Sequence, residues 1–263
     1  MEKYATKVVV LTGAGGGIGS EIALKFARAN ARIALCDIRS EALNETVARC
    51  EEAGSEVYSK VVDLGDEAQC KLFCRDVQQA FGTIDVLVNT VGIVDSPGDV
   101  EELSTAMWQK TLQINLTSAF LMAKYAVPHM KVRGGAILNI ASISGLANQE
   151  QAMAYSVSKA GLLSLTRSEA IDLARYKIRA NAISPGSVDT PLLHEAVREA
   201  GIRSGRSTEA QWRVWQEQYP TQRFTQPNEV AELALFLCSE RAANITGANL
   251  TIDGGLTALL PER

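Results

Sequence analysis

The sequence has no long hydrophobic run. Its apolar stretches are strand-sized, as at 8–11, far short of the ~18 residues that span a bilayer. The opening Met1-Glu2-Lys3-Tyr4 carries no apolar segment of the kind found in signal peptides. The expectation is a cytoplasmic protein with no membrane partner. Cysteine is scarce and odd in number, with five at positions 36, 50, 70, 74 and 238, which excludes a disulfide scaffold. Cys70 and Cys74 share a helix face, but His129 and His194, the two histidines, lie far off in sequence. No metal site is expected there. Two histidines also leave few Ser/His/Asp combinations. Charge blocks are missing: 26 Lys and Arg face 30 Asp and Glu, a net charge of −4. That balance has no basic footprint, so nucleic acid is not an expected partner. Internal repeats, low-complexity tracts and Pro/Ser-rich linkers are lacking too.

What is present is a chain of 263 residues, 46% hydrophobic, enough to bury a large core and too apolar for a disordered or fibrous chain. Short β-branched runs at 7–12, 32–36, 56–62, 85–89, 136–140, 179–183 and 249–252 predict strands. Amphipathic patterns at 18–29, 40–53, 67–81, 105–131, 154–176 and 228–239 predict helices. Alternation over the whole length predicts an α/β protein of doubly wound Rossmann type. Its seven-stranded, mostly parallel sheet carries helices on both faces. One domain, 1–263, is the simplest organisation. Ser40 is placed to cap the second helix, and Pro227 suits the first turn of the last long one. Residues 187–226 break the rhythm. The stretch is too long for a plain connection and predicts a lid over a site. Within it, Thr208-Glu209-Ala210-Gln211 has the capping-box pattern of a short helix.

The first strand runs into Thr12-Gly13-Ala14-Gly15-Gly16-Gly17-Ile18-Gly19. A strand entering a helix through a glycine-rich turn makes a cradle for a pyrophosphate, because backbone N–H groups and the helix dipole face the anion. The G-x-G-x-x-G spacing does not fit. Gly13-x-x-x-Gly17-x-Gly19 does. No Lys-Ser/Thr pair follows, which excludes an ATP-binding P-loop. Asp37 ends the second strand eighteen residues after Gly19. An acid there accepts from an adenosine ribose and repels a 2′-phosphate, favouring NAD over NADP, with Arg39 close enough to soften the preference.

Tyr155-Ser156-Val157-Ser158-Lys159 opens a predicted helix. Spacing i, i+4 puts phenol and ammonium on one face. A tyrosine pKa near ~10 is too high for a base at neutral pH, and a neighbouring lysine favours the phenolate. Tyr155 then qualifies as general base for an alcohol or general acid for a ketone. Ser142 lies just past the fifth strand, in the crevice where doubly wound folds bind ligands.

These residues together resemble the short-chain dehydrogenase/reductase family over essentially the full length. The family's glycine pattern matches Gly13, Gly17 and Gly19, with Gly16 and Ile18 in the same turn. Its catalytic tetrad matches Asn115 (in Ile114-Asn115-Leu116), Ser142, Tyr155 and Lys159, and its Pro-Gly matches Pro185-Gly186. The resemblance implies roles. Tyr155 exchanges a proton with the substrate oxygen, which Ser142 hydrogen-bonds. Lys159 holds the nicotinamide ribose and lowers the tyrosine pKa, and Asn115 supports a water leading to solvent. Asp63 and Leu64 flank the adenine, Asn89 lines the cofactor, and Val188 and Thr190 hold the nicotinamide carboxamide. One departure stands out: the family's Asn-Asn-Ala-Gly is here Asn89-Thr90-Val91-Gly92.

The substrate pocket is expected from 94–98, 143–149 and the 187–226 insertion. Trp212, Trp215 and Tyr219 with Arg203, Arg206 and Arg213 are placed either to meet a sugar or cyclic diol or simply to pack the lid down. The family implies a homo-oligomer, a tetramer built on the two long central helices. The expected function is NAD-dependent oxidation of a secondary alcohol, the small-molecule partner being that alcohol or its ketone. An NADP-dependent carbonyl reductase is the alternative, and a non-catalytic dinucleotide sensor a remote one.

Overall fold

The structure, a computed structural model, describes residues 4–94 and 98–260. Its strands are β1 (Val8–Thr12), β2 (Arg32–Asp37), β3 (Val57–Val61), β4 (Val86–Asn89), β5 (Gly135–Ile140), β6 (Ile178–Pro185) and β7 (Asn249–Ile252). They form one sheet of order β3-β2-β1-β4-β5-β6-β7, parallel throughout. The central strands are buried on both faces, as the all-buried pattern of Val8–Thr12 requires.

Helices α1 (Gly17–Arg28), α2 (Ser40–Glu52) and α3 (Glu67–Phe81) follow the first three strands. Tyr4 meets Phe26 edge-on at 5.1 Å in the core on the α1 face. The opposite face is closed by Phe73 and Val77 of α3 against Met122 and Ala126 of the helix after β4. Cys70 and Cys74 belong to that second core, and burial pushes the Cys74 thiol up to about 12. The strand order reverses between β1 and β4, so the crevice for a ligand opens above their carboxyl ends.

The helix expected over 105–131 is interrupted. It runs as α4 (Thr105–Leu112), a π turn (Gln113–Thr117) and α5 (Ser118–Met130). A π turn inserts a residue into the helical ladder and re-aims its side chains, and Asn115 sits at its centre. Helix α6 (Met153–Leu173) precedes β6, α7 (Pro191–Ser204) and α8 (Thr208–Gln216) occupy the 187–226 stretch, and α9 (Pro227–Cys238) precedes β7.

Two caps differ from expectation. Arg39 occupies the cap position of α2 and Ser40 is its first helical residue. Ser207, not Thr208, caps α8, its hydroxyl accepting from the Ala210 N–H at 3.2 Å. In each case the helix begins one residue from the best sequence signal, a shift that cap chemistry tolerates.

Candidate active site

The glycine turn is shaped by its own backbone. Gly13 has φ +66°, a conformation that disfavours any side chain. A Cβ on Gly19 would stand 2.2 Å from the Gly13 carbonyl oxygen. The cap of α1, Gly16, brings no side-chain hydrogen bond, and the first turn carries no acid. The N–H groups of Gly17, Ile18 and Gly19 therefore face the crevice beside a helix dipole that favours an anion.

Asp37 is only 6% exposed. Its Oδ2 accepts from the Gly15 N–H at 2.9 Å, and its Oδ1 accepts from the Arg39 N–H at 2.9 Å. The carboxylate is a built part of the turn, with the Arg39 guanidinium 3.4 Å away. Thr90, the departure from the family pattern, gives its hydroxyl proton to the Thr12 carbonyl at 2.5 Å. It ties the end of β4 to the start of the glycine turn.

The tetrad candidates converge. Asn115 is 1% exposed. It clamps the chain after β4: Oδ1 accepts from the Ile93 N–H at 2.8 Å, and Nδ2 donates to the Ile93 carbonyl at 2.9 Å and to Ser158 Oγ at 3.0 Å. Lys159 is 4% exposed and donates from Nζ to the Ile140 carbonyl at 3.0 Å, at the end of β5. Its Nζ lies 5.7 Å from the centre of the Tyr155 ring. A Cβ on Gly92 would come within 3.2 Å of that ammonium, which explains glycine at the end of Asn89-Thr90-Val91-Gly92. Ser142 caps the short turn 143–145 by accepting from the Ser144 N–H at 3.1 Å, and its hydroxyl is near enough to the Tyr155 phenol to pull the phenol's pKa down.

The expected acidification of the phenol does not hold in this state. Burial raises the Tyr155 pKa above the ordinary phenol value, and the Ser142 hydrogen bond pulls it only partly back. Burial also pushes Lys159 down to about 8. Lys159 is taken out of water outright and Tyr155 in part, and the ammonium is turned to a carbonyl oxygen rather than to the phenol oxygen.

Pro185, the last residue of β6, is buried, and the Gly186 N–H after it donates to the Ile252 carbonyl at 3.1 Å. Val188 is buried and bridges Thr225 in parallel register. Thr190 caps α7 and donates to the Val188 carbonyl at 3.2 Å. A Cβ on Gly17 would stand 2.7 Å from its methyl, so the glycine turn and the start of the lid abut. Asp63 accepts from the Gly65 N–H at 2.8 Å, and Leu64 is buried after β3. Asn89 does not aim its amide N–H at the crevice: Nδ2 donates to Asn139 Oδ1 at 2.9 Å.

Of the pocket segments, 95–97 lies outside the described residues. The lid aromatics pack inward. Trp212 meets Phe224 edge-on at 4.8 Å, and Tyr219 meets Phe224 at 5.5 Å. Arg203 pairs with Glu199 at 3.8 Å, and Arg206 donates to Gln211 at 3.3 Å. Of the two roles open to these residues, the structure gives Trp212 and Tyr219 the packing one.

Sequence reasoning missed a buried chain below the crevice. Asn139 Nδ2 donates to Glu169 Oε2 at 2.9 Å and to Thr166 Oγ1 at 3.0 Å. Burial raises Glu169 to about 7. An acid on the helix face shared with Leu162, Thr166 and Ala170 was the available signal.

A family model described as enoyl-(acyl carrier protein) reductase matches residues 13–257. Cis-4-hydroxycyclohexanecarboxylate dehydrogenase of Sinomonas cyclohexanicum is 36% identical, covering 98% of this chain and 99% of its own. The NAD+-bound structure of a xylitol dehydrogenase superposes with a TM-score of 0.91 at 33% identity, over 96% of this chain and 100% of its own. An NADPH-bound variant of actinorhodin polyketide ketoreductase superposes with a TM-score of 0.92 at 32% identity, over 97% and 99%.

Proposed function

The chain belongs to the short-chain dehydrogenase/reductase family, oxidoreductases of alcohol and carbonyl groups that use nicotinamide cofactors, and on that premise we propose that it is an NAD-dependent dehydrogenase of a polar secondary alcohol. The observation that carries this is the convergence of Tyr155, Ser142, Lys159 and Asn115 on the carboxyl edge of the sheet, beside an uncapped helix N-terminus.

The residues fit the dinucleotide. Gly13, Gly16, Gly17, Ile18 and Gly19 make the tight turn at the start of α1, whose N-terminus has no side-chain cap and would receive the pyrophosphate. Asp37 receives a ribose, Asp63 and Leu64 flank adenine, and Asn89 lines the path between. Tyr155 and Lys159 take the second ribose. Pro185, Gly186, Val188 and Thr190 border the carboxamide. When bound, the nicotinamide supplies the hydride acceptor. Ser142 donates to the substrate oxygen and holds it at the phenol, and Tyr155 takes its proton. Lys159 would favour the Tyr155 phenolate that exists before this transfer and that becomes the neutral phenol on taking the proton, and Asn115 holds the Ile93 segment over the ammonium.

Asp37 supports NAD, since its charge opposes a 2′-phosphate. Arg39, with its side chain 61% exposed beside that acid, supports an NADP-dependent carbonyl reductase as the second reading. A relative that oxidises a hydroxycyclohexanecarboxylate supports a cyclic or polyol substrate.

The test is NADH formation from a panel of cis- and trans-4-hydroxycyclohexanecarboxylate, cyclic diols and polyols, with NAD and NADP in parallel. Tyr155→Phe is expected to lower kcat by about 10²–10⁴ with NADH binding retained. Unchanged turnover removes Tyr155 from the mechanism. Tenfold better kinetics with NADP reverses the cofactor preference.

A further inference from the structure

Tyr219 stands at the end of the lid, in a segment where its ring was expected either to contact substrate or to pack. Its ring packs, and its hydroxyl does something further. The phenol is 4% exposed. Its oxygen accepts from the Ser187 N–H at 2.8 Å, and its proton goes to Ser187 Oγ at 2.7 Å. Both hydrogen bonds of one phenol close on one residue, and that residue sits between Gly186 and Val188. Ring and turn also touch. A Cβ on Gly186 would stand 3.0 Å from Tyr219 Cε1, so only glycine lets the chain run this close to the ring face.

The rest of the turn is knitted to the same strip of lid. The Thr225 N–H donates to the Ser187 carbonyl at 3.1 Å, and the Asp189 N–H donates to the Thr225 carbonyl at 2.9 Å. Thr225 Oγ1 donates to the Ile252 carbonyl at 3.1 Å, next to the bond from Gly186. Backbone bonds thus fix the turn from one side, and the Tyr219 side chain fixes Ser187 from the other. The ring is held in turn by Phe224 at 5.5 Å, within the lid core of Leu193, Val197 and Phe224.

We propose that Tyr219 is a positioning residue for the nicotinamide half of the coenzyme: its hydroxyl pins Ser187, and through it presets Gly186 and Val188 before the coenzyme arrives. This rests on the reading that the turn from Pro185 to Thr190 borders the carboxamide. Tyr219 itself touches neither coenzyme nor substrate. Losing the hydroxyl leaves the Ser187 amide without its acceptor in a half-buried site, and that penalty falls on the turn. Coenzyme binding then has to order the turn as well as contact it, which lowers affinity.

The experiment uses the full chain with two probes, NADH by fluorescence titration and ADP by calorimetry. ADP carries the adenosine and pyrophosphate but no nicotinamide. Tyr219→Phe keeps the ring and removes the hydroxyl. It is expected to raise the NADH Kd by about tenfold and leave the ADP Kd unchanged. Ser187→Ala keeps the amide bond and loses only the hydroxyl partner, so its effect is smaller. The double variant binds NADH no more weakly than Tyr219→Phe alone, because the serine hydroxyl has already lost its donor. The proposal is overturned if Tyr219→Phe binds NADH as the unsubstituted protein does, or if NADH and ADP weaken by the same factor. An unsubstituted protein that binds NADH no more tightly than ADP overturns the carboxamide reading instead, and is seen without any variant.

Discussion

Lys159 and Asn115, on the floor of the crevice, are 4% and 1% exposed and bond to backbone and hydroxyl groups. Arg203, Arg198 and His194, on the lid, have side chains 70%, 52% and 60% exposed and pair with surface carboxylates of their own helix or its approach. The floor is held by groups that cannot reach water, so each missing partner costs its full desolvation. The lid is held by one aromatic cluster and by ion pairs that water and salt weaken. The comparison predicts a rigid floor and a segment of α7 and α8 with lower local stability.

The sharpest way to break this contrast is to add one carbon to the floor. Gly19→Ala places a methyl where the Gly13 carbonyl oxygen is 2.2 Å away. Both partners are backbone, so neither yields by a rotamer change. NADH affinity is expected to fall by ~100-fold or more, read by fluorescence titration. Binding close to that of the parent would mean that the glycine turn is as adaptable as the lid.

A second floor prediction concerns charge. Glu169 accepts from Asn139, which accepts from Asn89 at the end of β4. Burial is the main cause of its rise from the ordinary 4.5 to about 7, and the Asn139 hydrogen bond works against it. The folded state therefore holds this proton more tightly than the unfolded chain. Stability is greatest below the unfolded value, falls as pH rises through the window from 4.5 to about 7, and is level beyond it. Glu169→Gln keeps an acceptor for Asn139 and has no charge to bury. At pH 8 it is expected to be more stable by about 3 kcal/mol, with the gain gone at pH 4. Urea unfolding at the two pH values measures this, and an equal gain at both would assign it to packing.

What could be read from the residues divides along the same line. The Gly13-Gly17-Gly19 spacing, Asp37, Ser142 and the Tyr155-Lys159 pair are local or punctuated by strand ends, and pattern alone places them on one edge of the sheet. The π turn at Asn115 was not legible, because 105–131 carries an unbroken helical pattern and the extra residue is set by the bond from Asn115 to the Ile93 backbone. Nor was the direction of the Tyr155 shift, since burial is a property of the assembled crevice. The Asn89–Asn139–Glu169 chain joins residues 30 and 50 apart in sequence, and Tyr219 reaches Ser187 across 32. Such contacts depend on how helices settle, which neither periodicity nor capping rules encode.

The smallest effect is expected on the lid. His194 Nε2 lies 2.8 Å from Asp189 Oδ1, and the Gln226 amide donates to the other oxygen of that acid at 3.2 Å. The imidazole also lies against Trp212, with centroids 4.6 Å apart and planes tilted by 38°. The pair joins α7 to the turn before it, yet it is open to solvent, so its net worth is set by screening rather than by desolvation. His194→Ala is expected to cost less than ~1 kcal/mol, with faster hydrogen exchange confined to Pro191–Ser204 and the global unfolding midpoint nearly unchanged. Raising the salt should speed exchange of the same amides in the parent protein. If instead His194→Ala lowers global stability by ~2 kcal/mol or more, as breaking a buried pair would, the lid is part of the rigid body, and the separation between floor and lid fails.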